Sequence, residues 1–218
     1  MYISRVELDL TRRSTMAALS APQRMHGAVE SCFSGERQRR LWRLDRLGGK
    51  LYLLVLSKDR PDLSGLARQF GRPGDELSTE TRDYTPLLQR IEPESEWRFR
   101  LTANPTKSCL DGTGSSERGI IRAHCTVEYQ KQWLLERAQK HGFQLEEKDF
   151  TVTSSRWMHF SKGRDSRRMV SLLSVTFEGI LHVEDADLFR QLLTNGMGRG
   201  KAYGLGLMTV MRPGGKHG

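Results

Sequence analysis

Two adjacent glycines, Gly48 and Gly49, separate two strand-like runs at residues 39–46 and 50–56, and no other feature constrains the fold as much. A Gly-Gly pair between such runs supplies the backbone freedom of a tight hairpin turn, so the runs pair as antiparallel neighbours. Upstream, residues 2–10 alternate apolar and polar side chains as a half-buried strand does. Residues 20–33 read as a helix, with Ser20 as its cap and Pro22 in its first turn. Met25, Val29, Cys32 and Phe33 share an apolar face there, suited to lie on a sheet. Downstream, residues 62–70 read as a second helix and 79–91 as a last extended segment. Asp83 and Pro86 place that segment at a sheet edge. The order is β-α-β-β-α-β, the ferredoxin-like arrangement.

A boundary falls near Glu92 and Pro93. Residues 97–103 alternate as a strand and stop at Asn104-Pro105, and 111–118 form a Gly/Ser/charged loop. Residues 126–140 read as a helix with apolar Val127, Trp133, Leu134 and Ala138, ended by Gly142. After an extended stretch at 143–153, residues 155–160 and 169–177 flank a charged segment and make a hairpin with a cationic tip. A helix at 185–193 and a strand at 205–210 close the chain. The predicted class is α+β, with two tandem ferredoxin-like (RRM-like) domains at 1–92 and 93–218.

Lysine and arginine outnumber aspartate and glutamate by 35 to 26, a net charge of +9, which favours an anionic partner such as nucleic acid. The longest apolar run, 51–56, is too short to cross a membrane, and the N-terminus has no continuous apolar core. Three widely spaced cysteines without a CxxC suggest neither a disulfide framework nor a zinc site, so a cytoplasmic protein is expected. Cys32 and Cys125 read as core thiols. His124, His141, His159, His182 and His217 lack ligand spacing; neither metal nor cofactor is expected.

Near the C-terminus Gly196, Gly198, Gly200, Gly204 and Gly206 interleave with Arg199 and Lys201. Exposed amides beside cations suit phosphate oxygens. The order helix, glycine loop, strand is the reverse of a nucleotide-binding P-loop, so a polymer's phosphates fit better than a mononucleotide. The hairpin offers further cations in Arg156, Lys162, Arg164, Arg167 and Arg168, suited to an RNA stem. Arg37, Arg39, Arg40, Arg43 and Arg46 form a second cluster, expected at the surface.

Several segments together resemble one family: Arg98-Phe-Arg-Leu-Thr-Ala-Asn-Pro-Thr-Lys107, Val175-Thr-Phe-Glu-Gly179 and Gly196-Met-Gly-Arg-Gly-Lys-Ala-Tyr-Gly-Leu-Gly-Leu-Met208, with Met1-Tyr-Ile-Ser-Arg5 and Pro22-Gln-Arg-Met-His26. They resemble the CasE-type CRISPR endoribonucleases, the type I-E Cascade subunit that processes CRISPR RNA precursor. The resemblance implies metal-independent cleavage at the base of a repeat hairpin, leaving a 2′,3′-cyclic phosphate and a 5′-hydroxyl. It also implies retention of the guide RNA beside other Cascade subunits, with a basic hairpin on the stem. It places the catalytic histidine at His26. Some members carry a tyrosine three residues earlier; Gln23 stands there and cannot transfer a proton.

Histidine suits either proton-transfer role near neutrality, so His26 is base or acid. It also reads as a polar residue beside the apolar face of its helix. Lys107, Arg199 and Lys201 are candidates to stabilise phosphate charge, or else solvated surface cations. The alternative to an enzyme is a non-catalytic RNA-hairpin-binding subunit. Residues 200–207 resemble the basic-aromatic strand of an RNA recognition motif, although Leu205 and Leu207 stack weakly on bases.

Overall fold

The computed structural model describes residues 1–36, 38–72, 78–109, 120–161 and 169–214. The opening alternation forms β1 (Tyr2–Leu8), with Val6 and Leu8 buried. The helix predicted at 20–33 is α2 (Pro22–Glu30), and an unpredicted helix, α1 (Arg13–Leu19), precedes it. Ser20 closes α1 as its C-cap rather than opening α2, and Ala21 precedes α2. Pro22 accounts for the break, since it lacks an amide hydrogen and fits only a helix's first turn.

The glycine pair joins β2 (Leu41–Leu47) to β3 (Lys50–Ser57) in antiparallel register. Next come α3 (Ser64–Phe70) and β4 (Thr79–Asp83). The last strand is shorter than predicted. Asp83 Oδ1 accepts from the Thr85 amide at 2.9 Å, and Pro86 lies in the first turn of α4 (Thr85–Gln89). Pro86 opens a helix rather than lying in the strand, and β4 is at the sheet edge, as expected. The sheet runs β2-β3-β1-β4, wholly antiparallel, the ferredoxin-like order with β1 and β3 central. Met25, Val29, Leu66 and Phe70 pack on Val6, Leu53 and Val55 to form its core.

The second half repeats the plan with an insertion. In β5 (Glu96–Ala103) Trp97, Phe99, Leu101 and Ala103 are buried, while Arg98 and Arg100 turn to the other face. Two unpredicted strands, β6 (Thr106–Cys109) and β7 (Ile120–Ala123), form a ribbon of their own. The loop predicted at 111–118 lies outside the described residues. Thr126 caps α5 (Val127–Ala138) by accepting from the Tyr129 amide. Then follow β8 (Phe143–Gln144), β9 (Phe150–Ser161) and β10 (Met169–Val183). Asp185 caps α6 (Ala186–Asn195), and β11 (Met208–Met211) ends the sheet. The order is β11-β5-β10, with β10 pairing both β8 and β9. With β8 and β9 together as second strand, this is the same ferredoxin-like order.

The arginine cluster predicted at the surface is divided: Arg40 and Arg43 are buried, each held by an acidic partner. Arg43 is 1% exposed and joins the two sheets. It grips Asp45 with two bonds of 2.9 and 2.6 Å. It also donates to the carbonyls of Arg100 and Leu207, each at 2.8 Å, and to Thr209 Oγ1 at 2.7 Å. Arg40 is buried as well, 2.6 Å from Glu30 and stacked 4.1 Å over Phe33. Arg39 and Arg46 are exposed, and Arg37 lies outside the described residues.

Cys32 is buried as expected, but Cys125 is exposed. Burial pushes the Cys32 thiol up to about 11, and only the thiolate reacts readily. A thiol reagent at mildly alkaline pH therefore labels Cys125 well before Cys32, as peptide mass spectrometry would record.

Candidate functional site

The buried Pro22, Met25 and Val29 fix the roll of α2 against the sheet. This leaves Gln23 and His26, one turn apart, half-buried on its flank. Gln23 Nε2 donates to the Ser161 carbonyl at 3.0 Å, which ties the helix to the end of β9. Among the described residues, Gln23 Oε1 and His26 Nδ1 are buried without a hydrogen-bond partner. Such atoms are costly and rare. Two on neighbouring side chains make this flank the foremost place for a ligand.

The glycine loop comes to the same helix. All five glycines have positive φ: 70°, 77°, 85°, 79° and 92° for Gly196, Gly198, Gly200, Gly204 and Gly206. The loop leaves the second half and grips β2, one of the two edge strands of the first sheet. A Cβ on Gly204 would lie 2.6 Å from the Trp42 ring, and Gly196 abuts Leu41. A 3-10 turn, Lys201–Tyr203, then touches both β2 and α2. The amides of Gly196, Met197, Tyr203, Gly204 and Gly206 donate to protein carbonyls. Those of 198–202 have no backbone acceptor among the described residues.

Gly204 has neither the room nor the backbone angle for a side chain. Gly204→Ala therefore costs on the order of 1–3 kcal/mol of strain. In a chain of this size that lowers Tm by roughly 2–12 °C, which calorimetry would measure.

Burial first, and Arg39 second, hold the Lys201 ammonium below the usual lysine range. Burial, then Arg137 and Lys201, push the His141 imidazole down as well. Among the described residues no ion pair neutralises Lys201, Arg39 or Arg137. Gathered cations without a counter-ion favour an anion. Sequence reasoning singled out Lys201 alone of this group. Arg39 was grouped with surface arginines and His141 with unassigned histidines, and nothing in the linear order joins positions 39, 137, 141 and 201.

Arg156 is exposed on β9 and shares a cleft with Pro22, Met25 and Tyr203. Tyr203 packs on Phe160 of the same strand, centroids 4.8 Å apart. Arg199 is exposed on the loop. Lys107 is elsewhere, on the β6–β7 ribbon with its ammonium 5.9 Å from the Tyr129 ring. No hydrogen bond or ion pair among the described residues joins it to α2 or the loop. Lys162, Arg164, Arg167, Arg168 and His217 lie outside the described residues. Among those described, no three His, Cys, Asp or Glu side chains converge as metal ligands, and no helix is long and apolar enough to cross a membrane.

The sequence model of the family described as "CRISPR associated protein" matches residues 1–212. The chain belongs to that family. It is homologous to the CRISPR-associated endoribonuclease Cse3 of Thermus thermophilus, 29% identical over 223 residues that cover 96% of this chain and 99% of the relative. The CRISPR system Cascade subunit CasE of Escherichia coli K12 is 30% identical over 114 residues, 51% of this chain and 56% of that one. Among solved structures, Cse3 bound to a 19-nucleotide RNA matches with a TM-score of 0.78 at 27% identity, covering 97% of this chain and all of that one.

Proposed function

We propose that the protein is an endoribonuclease that cuts CRISPR repeat hairpins without a metal ion and keeps hold of the mature guide RNA. The observation that carries this reading is that α2, the helix bearing His26, is touched by the 3-10 turn of the cationic glycine loop. Domains 1–92 and 93–218 divide the work: the first supplies His26, the second most of the cations.

The ribose 2′-hydroxyl loses a proton and its oxygen bonds to the adjacent phosphorus. The bond from phosphorus to the 5′-oxygen breaks, and that oxygen gains a proton. A 2′,3′-cyclic phosphate and a 5′-hydroxyl remain. His26 serves one of the two transfers through Nε2, since Nδ1 is shut in. Gln23 cannot exchange protons. With its Nε2 held by Ser161 and its Oε1 as enclosed as His26 Nδ1, it helps by bracing α2 against the end of β9. Lys201, Arg39 and the open loop amides balance the charge that gathers on the phosphate.

Arg156, with Lys162, Arg164, Arg167 and Arg168, holds the stem by its phosphates. Lys107 and Arg199 make outer phosphate contacts. Other Cascade subunits are the protein partners. The alternative, a non-catalytic hairpin-binding subunit, is favoured by one observation: Gln23 stands where some family members carry a tyrosine.

Analysis of the product ends tests the reading. A 5′ fragment whose terminus resists periodate, beside a 3′ fragment that polynucleotide kinase labels without prior dephosphorylation, is expected. A 5′-phosphate on the 3′ fragment would exclude 2′-hydroxyl attack.

A further inference from the structure

The chain has four tryptophans, and three of them, Trp42, Trp97 and Trp133, are each only 2% exposed. Trp157 is 48% exposed. Leaving so large an apolar ring in water forfeits its burial free energy, so its surroundings bear on function.

Trp157 lies on β9 opposite Leu173 of β10, and His159 lies opposite Ser171. Alternation puts Trp157 and His159 on the face that carries Ser155. Arg156, Met158 and Phe160 take the opposite face, toward α2 and the glycine loop. Helix α5 meets the first face at Ser155, whose Oγ accepts from Gln130 Nε2 at 3.0 Å. The next two positions outward carry the tryptophan and the histidine. Their rings are stacked, within 15° of parallel and with centroids 5.9 Å apart. His159 Nδ1 sits 3.0 Å from Ser171 Oγ, which fixes the second ring. Met169, 61% exposed and opposite Ser161, extends the same surface.

We propose that Trp157 and His159 form a platform on which an unpaired nucleobase beside the RNA stem stacks, outside the cleavage site. This rests on the reading of the protein as an RNA-hairpin binder. The flat outer face of a stacked pair held by Ser171 matches the face of a base, and stacking tolerates any base because each has a π-face. The occupant is unpaired because bases within a stem already stack on one another. A net charge of +9 favours a polyanion as the occupant.

The test compares wild type, Trp157→Ala and Trp157→Phe for affinity to a hairpin with single-stranded flanks, and to the same hairpin with abasic flanks. Circular dichroism confirms that each variant folds. Trp157→Ala is expected to weaken binding about tenfold, with Trp157→Phe close to wild type. Abasic flanks should weaken the wild type by a similar factor and leave Trp157→Ala unaffected. Tryptophan emission of the wild type should fall on binding and resist acrylamide, because only Trp157 is reachable. If Trp157→Ala binds the intact hairpin as tightly as wild type, the platform is wrong. If that variant keeps its RNA affinity but no longer assembles with other Cascade subunits, the face docks protein instead. Failure of the wild type to bind any hairpin would overturn the functional reading itself.

Discussion

His26→Ala is expected to reduce hairpin cleavage by about 10²–10⁴-fold in single-turnover assays while leaving hairpin affinity unchanged. The split follows from where the residue sits. His26 is a half-buried side chain on the flank of α2, and its Nδ1 contributes no hydrogen bond among the described residues. Its loss therefore removes no contact that holds the helix. Helix α2 remains anchored by Met25 and Val29 in the core and by Gln23 on Ser161. The cations proposed to bind the stem lie on β9 and the glycine loop, so binding persists. Equal loss of affinity and rate would mean that His26 holds RNA rather than moving protons. An unchanged rate would return it to the bland reading of a polar residue beside an apolar face.

Arg43→Met should be the most destabilising single change away from the site. Arg43 is 1% exposed and Asp45 4%. Five hydrogen bonds from the guanidinium reach Asp45, two backbone carbonyls and Thr209. Removing one partner of a buried pair strands the other charge, at a cost of about 3–5 kcal/mol. Arg100, 3.4 Å from Asp45, offsets only part of this. The carbonyls of Arg100 and Leu207 also lose their donor. Thermal unfolding is expected roughly 6–20 °C lower. Since Arg43 joins the first sheet to β5 and β11, partial proteolysis should also separate the two halves sooner. The double variant Arg43→Met, Asp45→Leu should recover much of the loss, because no buried charge is then left alone.

The ferredoxin-like plan was legible because its determinants are local. Gly48 and Gly49 force a hairpin, alternation in residues 2–8 gives a strand, and Thr126 and Asp185 cap the helices that follow them. Misreadings arose where a residue has two local uses. Pro86 fits an edge strand or a helix's first turn, and the Asp83–Thr85 hydrogen bond selects the helix. Ser20 fits either end of a helix, and Pro22 decides that it ends one. The β6–β7 ribbon has four-residue strands, too short for a period to register.

Legibility of the site divides differently. Alternation along β2 shows that Arg43 and Asp45 share a face, but not that a second sheet covers it. The cluster around Lys201, three cations and His141, is assembled from positions 39, 137, 141 and 201, which only the fold brings together. His26 stood out through family resemblance. From residue type and spacing alone it was one histidine among six.

The most direct test of the central claim is cleavage of a repeat hairpin in excess EDTA, in parallel with the same RNA carrying one 2′-deoxy sugar at the mapped cut. The account predicts a full-rate cut of the all-ribose hairpin in EDTA and none of the deoxy RNA, which should still bind. Cleavage of the deoxy RNA, or a cut that stops in EDTA and returns with a divalent ion, would contradict it.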